Sequence, residues 1–164
     1  MRVLGIDPGT RATGYGVLDG GAARPRLLEC GVIRLPARAD LASRLLEIHR
    51  GLSALIERLE PESVAIEGVF TAINSRTAII LGHARGVAVL AAAERGLEVA
   101  EYPPREVKKA IVGSGAATKD QVGFMVQQHL RLAEVPRPAD AADGCAIALC
   151  HLFSCASAAA VIRR

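Results

Sequence analysis

The sequence predicts an α/β fold, a five-stranded mixed sheet flanked by helices on both faces, within one domain spanning residues 1–164. Three observations carry that expectation. Three strand-like runs precede any helical periodicity; a strand, a helix and a strand then alternate; the remainder is helical. Consecutive strands joined by short turns pair antiparallel, whereas strands separated by a helix pair parallel, so the sheet must be mixed. With 164 residues, 51% of them apolar, the chain can bury one sizeable core but not two.

The elements follow in order. Arg2 to Asp7 (RVLGID) is a short apolar run stopped by Pro8-Gly9, which reads as a buried strand and a turn. Ala12 to Leu18 and Arg26 to Leu35 are the next two strands, separated by the hairpin signal Asp19-Gly20-Gly21. From Leu41 to Leu59, apolar residues recur at three- and four-residue steps, predicting an amphipathic helix with Asp40 as N-cap and a stop at Pro61. Val64 to Val69 is a fourth strand. Asn74 caps a helix expected to run to about Arg95, with Gly96 as its stop, and Leu97 to Tyr102 is a fifth strand. A short helix from Glu106 to Val112, a break at Gly113-Ser114-Gly115, a helix from Thr118 to Leu132 and a final helix from Ala139 to Ala156 complete the chain.

Composition narrows the function classes. The longest uninterrupted apolar stretch, Val87 to Ala93, is far short of the roughly 20 residues a membrane-spanning helix needs. The opening MRVLGIDPG puts an acidic residue and a proline where a secretory signal would carry its apolar core, so a cytoplasmic protein is expected. Cys30, Cys145, Cys150 and Cys155 include no C-x-x-C knuckle, and steps of five residues turn a helix by about 140°, so they read as small core residues. His49, His83 and His129 read as surface or boundary residues. The net charge of +3 is modest, but Pro104 to Arg137 holds six basic residues against three acidic ones, a surplus that equals the whole excess. Taken alone, that segment reads equally as a solvated helical face.

The carboxylates point to chemistry. Asp7 closes the first strand and Glu67 lies near the end of the fourth, which is expected to neighbour the first. Asp140 and Asp143 are three apart at a helix start and so share a face. Each aspartate also fits a turn or a helix dipole, but Glu67 inside Ala65-Ile66-Glu67-Gly68-Val69 is costly to bury unless paired or metal-bound. Four converging carboxylates would repel one another, and a divalent cation is their natural occupant. Oxygen-only ligation selects hard ions such as Mg²⁺ or Mn²⁺.

These residues carry a resemblance. Leu4-Gly5-Ile6-Asp7-Pro8-Gly9-Thr10 with Thr13-Gly14-Tyr15-Gly16-Val17, then Ala65-Ile66-Glu67-Gly68-Val69-Phe70, Leu81-Gly82-His83-Ala84-Arg85-Gly86, Val107-Lys108, Val112-Gly113, Lys119 and Ala139-Asp140-Ala141-Ala142-Asp143, resemble the RuvC-type Holliday-junction resolvases in order and over almost the whole chain. The resemblance implies a ribonuclease H-like fold and a homodimeric endonuclease that resolves four-way DNA junctions in recombination and repair. It implies two Mg²⁺ ions per active site, replaceable by Mn²⁺, on Asp7, Glu67, Asp140 and Asp143. It further implies Lys119 and Lys108 near the scissile phosphate, Phe70 stacking on an unpaired base, Arg76 on a phosphate, and branch-migration partners of the RuvA and RuvB type. The Asn74 to Arg95 helix, with small residues at Gly82 and Gly86, would form part of the two-fold interface. Three other readings compete: an actin-like ATPase, whose phosphate motif resembles Gly5 to Thr10; a related nuclease of ribosomal RNA processing; and a junction-binding protein that does not cut.

Overall fold

The structure, a computed structural model, describes residues 1–9, 11–68 and 75–162, with only the backbone described for Ser75, Arg76 and residues 160–162. Five strands form one sheet: β1 (Arg2–Asp7), β2 (Ala12–Asp19), β3 (Arg26–Arg34), β4 (Ser63–Glu67) and β5 (Glu98–Tyr102), in the order β3-β2-β1-β4-β5. β1, β2 and β3 pair antiparallel, and β4 pairs parallel with both β1 and β5, which is the mixed sheet expected. The helices are α1 (Leu41–Leu59), α2 (Ser75–Ala93), α3 (Pro104–Val112), α4 (Lys119–Leu130) and α5 (Ala139–Ile162).

Alternation along the strands divides the core in two. Leu4 and Ile6 of β1, Val17 of β2 and Val64 and Ile66 of β4 pack against Ile48, Leu52, Leu55 and Ile56 of α1 and the small residues Ala84, Ala88 and Ala91 of α2. Their neighbours Val3, Leu18 and Ala65 face the opposite way, onto α3, α4 and α5 through Val107, Ile111, Val122, Val126 and the Cys145 to Cys150 stretch. Asp7 and Glu67 share the parity of Val3 and Ala65, so they project toward α5.

α1 starts as the sequence predicts, with the Asp40 side chain accepting from the Ser43 N–H at 2.7 Å. α4 opens on a capping box in which Thr118 and Gln121 satisfy each other's backbone N–H groups. Several predicted boundaries shift. α3 begins at Pro104 rather than Glu106, because proline fits the first helical position, where no N–H is needed. α4 ends at Leu130 instead of Leu132, where Arg131 turns left-handed at φ 54°. α5 runs past Ala156 to Ile162, since its alanine-rich end is a strong helix former. β4 stops at Glu67; the Gly68 N–H still bonds the Tyr102 carbonyl at 2.9 Å, while Val69, Phe70 and the predicted cap Asn74 lie outside the described residues.

α5 also corrects the hydropathy reading. Its span from Ala139 to Ala159 is long and apolar enough by length and composition to cross a membrane, yet 61% of that window is buried inside the fold. It is the core helix. Backbone contact brings it this close: Gly5, Gly14 and Gly16 of β1 and β2 face α5 with no room for a Cβ, and Gly144 answers from the helix.

Cys145 and Cys150 are buried and Cys30 and Cys155 half-buried, all as free thiols. His151 is a buried polar bridge inside the core. It bridges the Ser63 hydroxyl at 3.1 Å and the Tyr102 hydroxyl at 2.8 Å, tying the middle of α5 to β4 and β5.

Candidate metal centre

Ile6 and Ile66 are partners in the parallel β1–β4 ladder, so the residues that follow them, Asp7 and Glu67, leave the sheet side by side. Across from them α5 lies against β2, with the Asp140 backbone directly over Gly14, the residue that pairs with Asp7. Asp140 and Asp143 consequently meet Asp7: one carboxylate oxygen from each of the three lies within 4.8 Å of the others. Glu67 joins Asp7 and Asp143 in the wall of a cleft of about 360 Å³, together with Lys108 of α3 and Lys119 of α4, over an apolar floor that includes Leu81, Val107 and Ile147.

The electrostatics follow from this crowding. Burial, then repulsion from Glu67, Asp143 and Asp140, drives the Asp7 carboxyl from its ordinary 3.8 up to about 8, with Lys119 offsetting only part. Glu67 is raised as well, by burial first and by Asp143 next, against the pull of Lys119 and Lys108. Lys119 donates from Nζ to Asp143 Oδ2 at 2.6 Å, and that bond holds its ammonium above the usual lysine range. A half-buried acidic site whose one direct cationic contact among the described residues is a lysine favours an added cation, and its all-oxygen donor set fits a hard divalent one.

Of the residues singled out in the sequence, the structure brings together Asp7, Asp140 and Asp143, sets Glu67, Lys108 and Lys119 in the same cleft, and places the backbone of Arg76 in the first turn of α2. Phe70 lies outside the described residues, as does the Arg76 side chain. Sequence reasoning passed over Gly14 and Gly144. Their signal was the glycine at alternate positions of Gly14-Tyr15-Gly16, which marks a strand face approached closely by another backbone.

The family model described as Crossover junction endodeoxyribonuclease RuvC matches residues 3–151. The chain belongs to the RuvC family. Relatives named Crossover junction endodeoxyribonuclease RuvC include one from Frankia alni, 53% identical over 154 residues covering 93% of this chain and 78% of the relative. Another, from Halorhodospira halophila, is 54% identical over 151 residues, covering 92% and 89%. The Thermus thermophilus RuvC solved in complex with a Holliday junction substrate superposes with a TM-score of 0.91 at 38% identity, covering 96% of each chain. A second Thermus thermophilus RuvC structure gives 0.87 at 38% identity. The sheet order and helix layers described above are thus the ribonuclease H-like architecture of RuvC. Asp7, Glu67, Asp140 and Asp143 all fall inside the matched region. RuvC proteins are endonucleases, and an acidic centre of this kind agrees with divalent-metal use in that family.

Proposed function

We propose that this chain resolves four-way DNA junctions by hydrolysing phosphodiester bonds at the acidic cleft, with Asp7, Glu67, Asp140 and Asp143 as ligands for two Mg²⁺ ions, replaceable by Mn²⁺. The observation that carries this reading is the meeting of the Asp7, Asp140 and Asp143 carboxylates beside the Lys119–Asp143 pair. Bound cations would supply Lewis acidity to the attacking and leaving oxygens of an in-line displacement.

The chain's own residues do the rest. Asp7 is the innermost ligand, and its raised affinity for a proton means that it exchanges that proton for metal. Lys119 fixes the rotamer of Asp143. Already an ammonium at neutral pH and held more firmly so by its bond to Asp143, it stabilises charge on the scissile phosphate and does not act as a base. Lys108 lines the other side of the cleft and adds a phosphate contact. Phe70 and Arg76, in the segment that follows Glu67, supply a stacking surface for an unpaired base and a phosphate contact.

The exposed stripe of Ile79, Gly82, His83, Gly86 and Leu90 on α2 supports a homodimer built through that helix, which would present two clefts to two strands. The family supports RuvA and RuvB as partners, a place in recombination and repair, and a cytoplasmic site of action. Incubating the protein with a synthetic four-way junction and with a linear duplex, in Mg²⁺, in Mn²⁺ and in EDTA, tests the reading. Paired nicks in the junction alone, dependent on metal, are expected. Junction binding without cleavage in either metal, or a preference for structured RNA, would overturn it.

A further inference from the structure

We propose that Arg11 and Arg44 form a second phosphate site, which grips the DNA backbone of a junction arm beside the catalytic cleft; this rests on the junction-resolving reading above. The two residues line a separate cleft of about 460 Å³ with Leu35 and Ala37 and no carboxylate. Two stretches of chain build it, the turn at Arg11 and the segment from Leu35 to Arg44. Arg11 sits in the turn that follows Asp7, and its carbonyl accepts from the Leu35 N–H at 3.1 Å, which fastens the end of β3 to that turn. Arg44 stands in the first turn of α1, its N–H bonded to the Asp40 carbonyl at 3.2 Å.

The charge here is uncompensated. Arg2, Arg26, Arg50, Arg58, Arg85 and Arg95 each meet a carboxylate. Among the described residues, neither Arg11 nor Arg44 does, nor do Arg34 and Arg38 beside them in the chain. The acids nearest Arg44 in sequence are engaged: the Asp40 carboxylate caps α1 through Ser43 at 2.7 Å, and Glu47 holds Arg50 at 3.4 Å. The Arg44 Nε is buried without a hydrogen-bond partner, as are those of Arg2 and Arg85, so the terminal guanidinium nitrogens are the donors a phosphate would meet.

Two guanidinium forks with free donors match the geometry of a phosphodiester, and arginine binds phosphate as a planar clamp rather than a point charge. Position selects the source of the phosphate. Ala12 pairs with Arg34 and Gly14 with Asp7, so this cleft opens at the same end of the sheet as the carboxylates. It lies on the β3 and α1 side, away from Lys108 and Lys119 on α3 and α4. A strand with one phosphate over Asp7 would run from the lysines toward the arginines.

The test is the salt dependence of junction binding. Fluorescence anisotropy with a labelled four-way junction in EDTA would compare the full-length parent with Arg44→Ala, Arg44→Lys and the Arg11→Ala/Arg44→Ala double variant. Each lost phosphate contact should flatten the plot of log K against log salt by about 0.9 and weaken binding in 0.1 M salt by about eightfold, with Arg44→Lys restoring the slope but not the full affinity. An unchanged slope in the double variant, beside a parent that binds and cuts junctions, would overturn this site alone. Weaker binding with unchanged slope and a lowered melting temperature would make Arg44 a packing residue and overturn it equally. A parent that neither binds nor cuts junctions would remove the functional reading and this site with it.

Discussion

Replacing Asp7 with asparagine should make the metal-free protein more stable while abolishing its activity. In the folded chain the Asp7 carboxyl titrates near 8 instead of 3.8, so between those values the native state holds a proton that the unfolded chain has released. Native stability therefore falls as pH rises through that window and levels off above it. From 3.8 to neutral pH, at about 1.4 kcal/mol per unit, the loss is on the order of 4 kcal/mol; at pH 5 it is only about 2 kcal/mol. Asparagine carries no such proton. Asp7→Asn should thus melt on the order of 10 °C above the parent at neutral pH in EDTA, with a smaller gap at pH 5. Differential scanning calorimetry at the two pH values reads the gap directly, and saturating Mg²⁺ should narrow it by stabilising the parent alone. Junction cleavage by the variant should be undetectable while binding persists. An Asp7→Asn protein no more stable than its parent in EDTA at pH 8, or one that still cuts, would refute the account of Asp7 as a crowded, largely desolvated ligand awaiting a cation.

The same linkage predicts that apparent Mg²⁺ affinity, followed by isothermal calorimetry, climbs with pH toward about 8 and that binding releases protons into the buffer. Lys119→Ala should lower single-turnover cleavage at least tenfold and, by removing the main positive neighbour, raise the Asp7 and Glu67 titrations further, which carboxyl NMR signals would register. Gly14→Ala should cost several kcal/mol in urea unfolding, because its methyl group meets the Asp140 backbone and must push α5 off the sheet. Phe70→Ala should stay within about 1 kcal/mol of the parent in stability yet lose junction cleavage, and Phe70→Leu should fail to restore it; a loss of about 3 to 5 kcal/mol would instead make Phe70 a core residue.

What was legible in the sequence was whatever local chemistry decides. The span of α1 followed from seven apolar residues at helical steps and the Asp40 cap, and β1 from a six-residue run stopped by Pro8-Gly9. The carboxylate site was legible for a different reason: Glu67 in an apolar strand has no bland explanation, and the three-residue spacing of Asp140 and Asp143 fixes a shared face. The pairing that brings Asp7 beside Glu67 was only an expectation, since strand order is a tertiary choice, and the β1–β4 ladder decided it. Other features left no local trace. Nothing near His151 announces Ser63 and Tyr102 as its partners, 88 and 49 residues away. Counting charge along the chain drew attention to Pro104 to Arg137, whereas Arg11 and Arg44 come together only when β3 folds back beside the β1–β2 turn.

The glycine-lined seat of α5 bears on how the protein can fail. Many enzymes mount their reactive groups on loops that open far more readily than the scaffold, so that the site melts and reforms without the rest noticing. Here two of the carboxylates ride on the helix around which one whole half of the core is assembled, locked near its start by backbone contact and at its middle by His151. Lifting Asp140 and Asp143 away from Asp7 means exposing Cys145 to Leu149 and dismantling that half. The amides of this segment should consequently exchange with solvent only through global unfolding, and the geometry of the acidic centre should persist at full precision until the entire domain is lost.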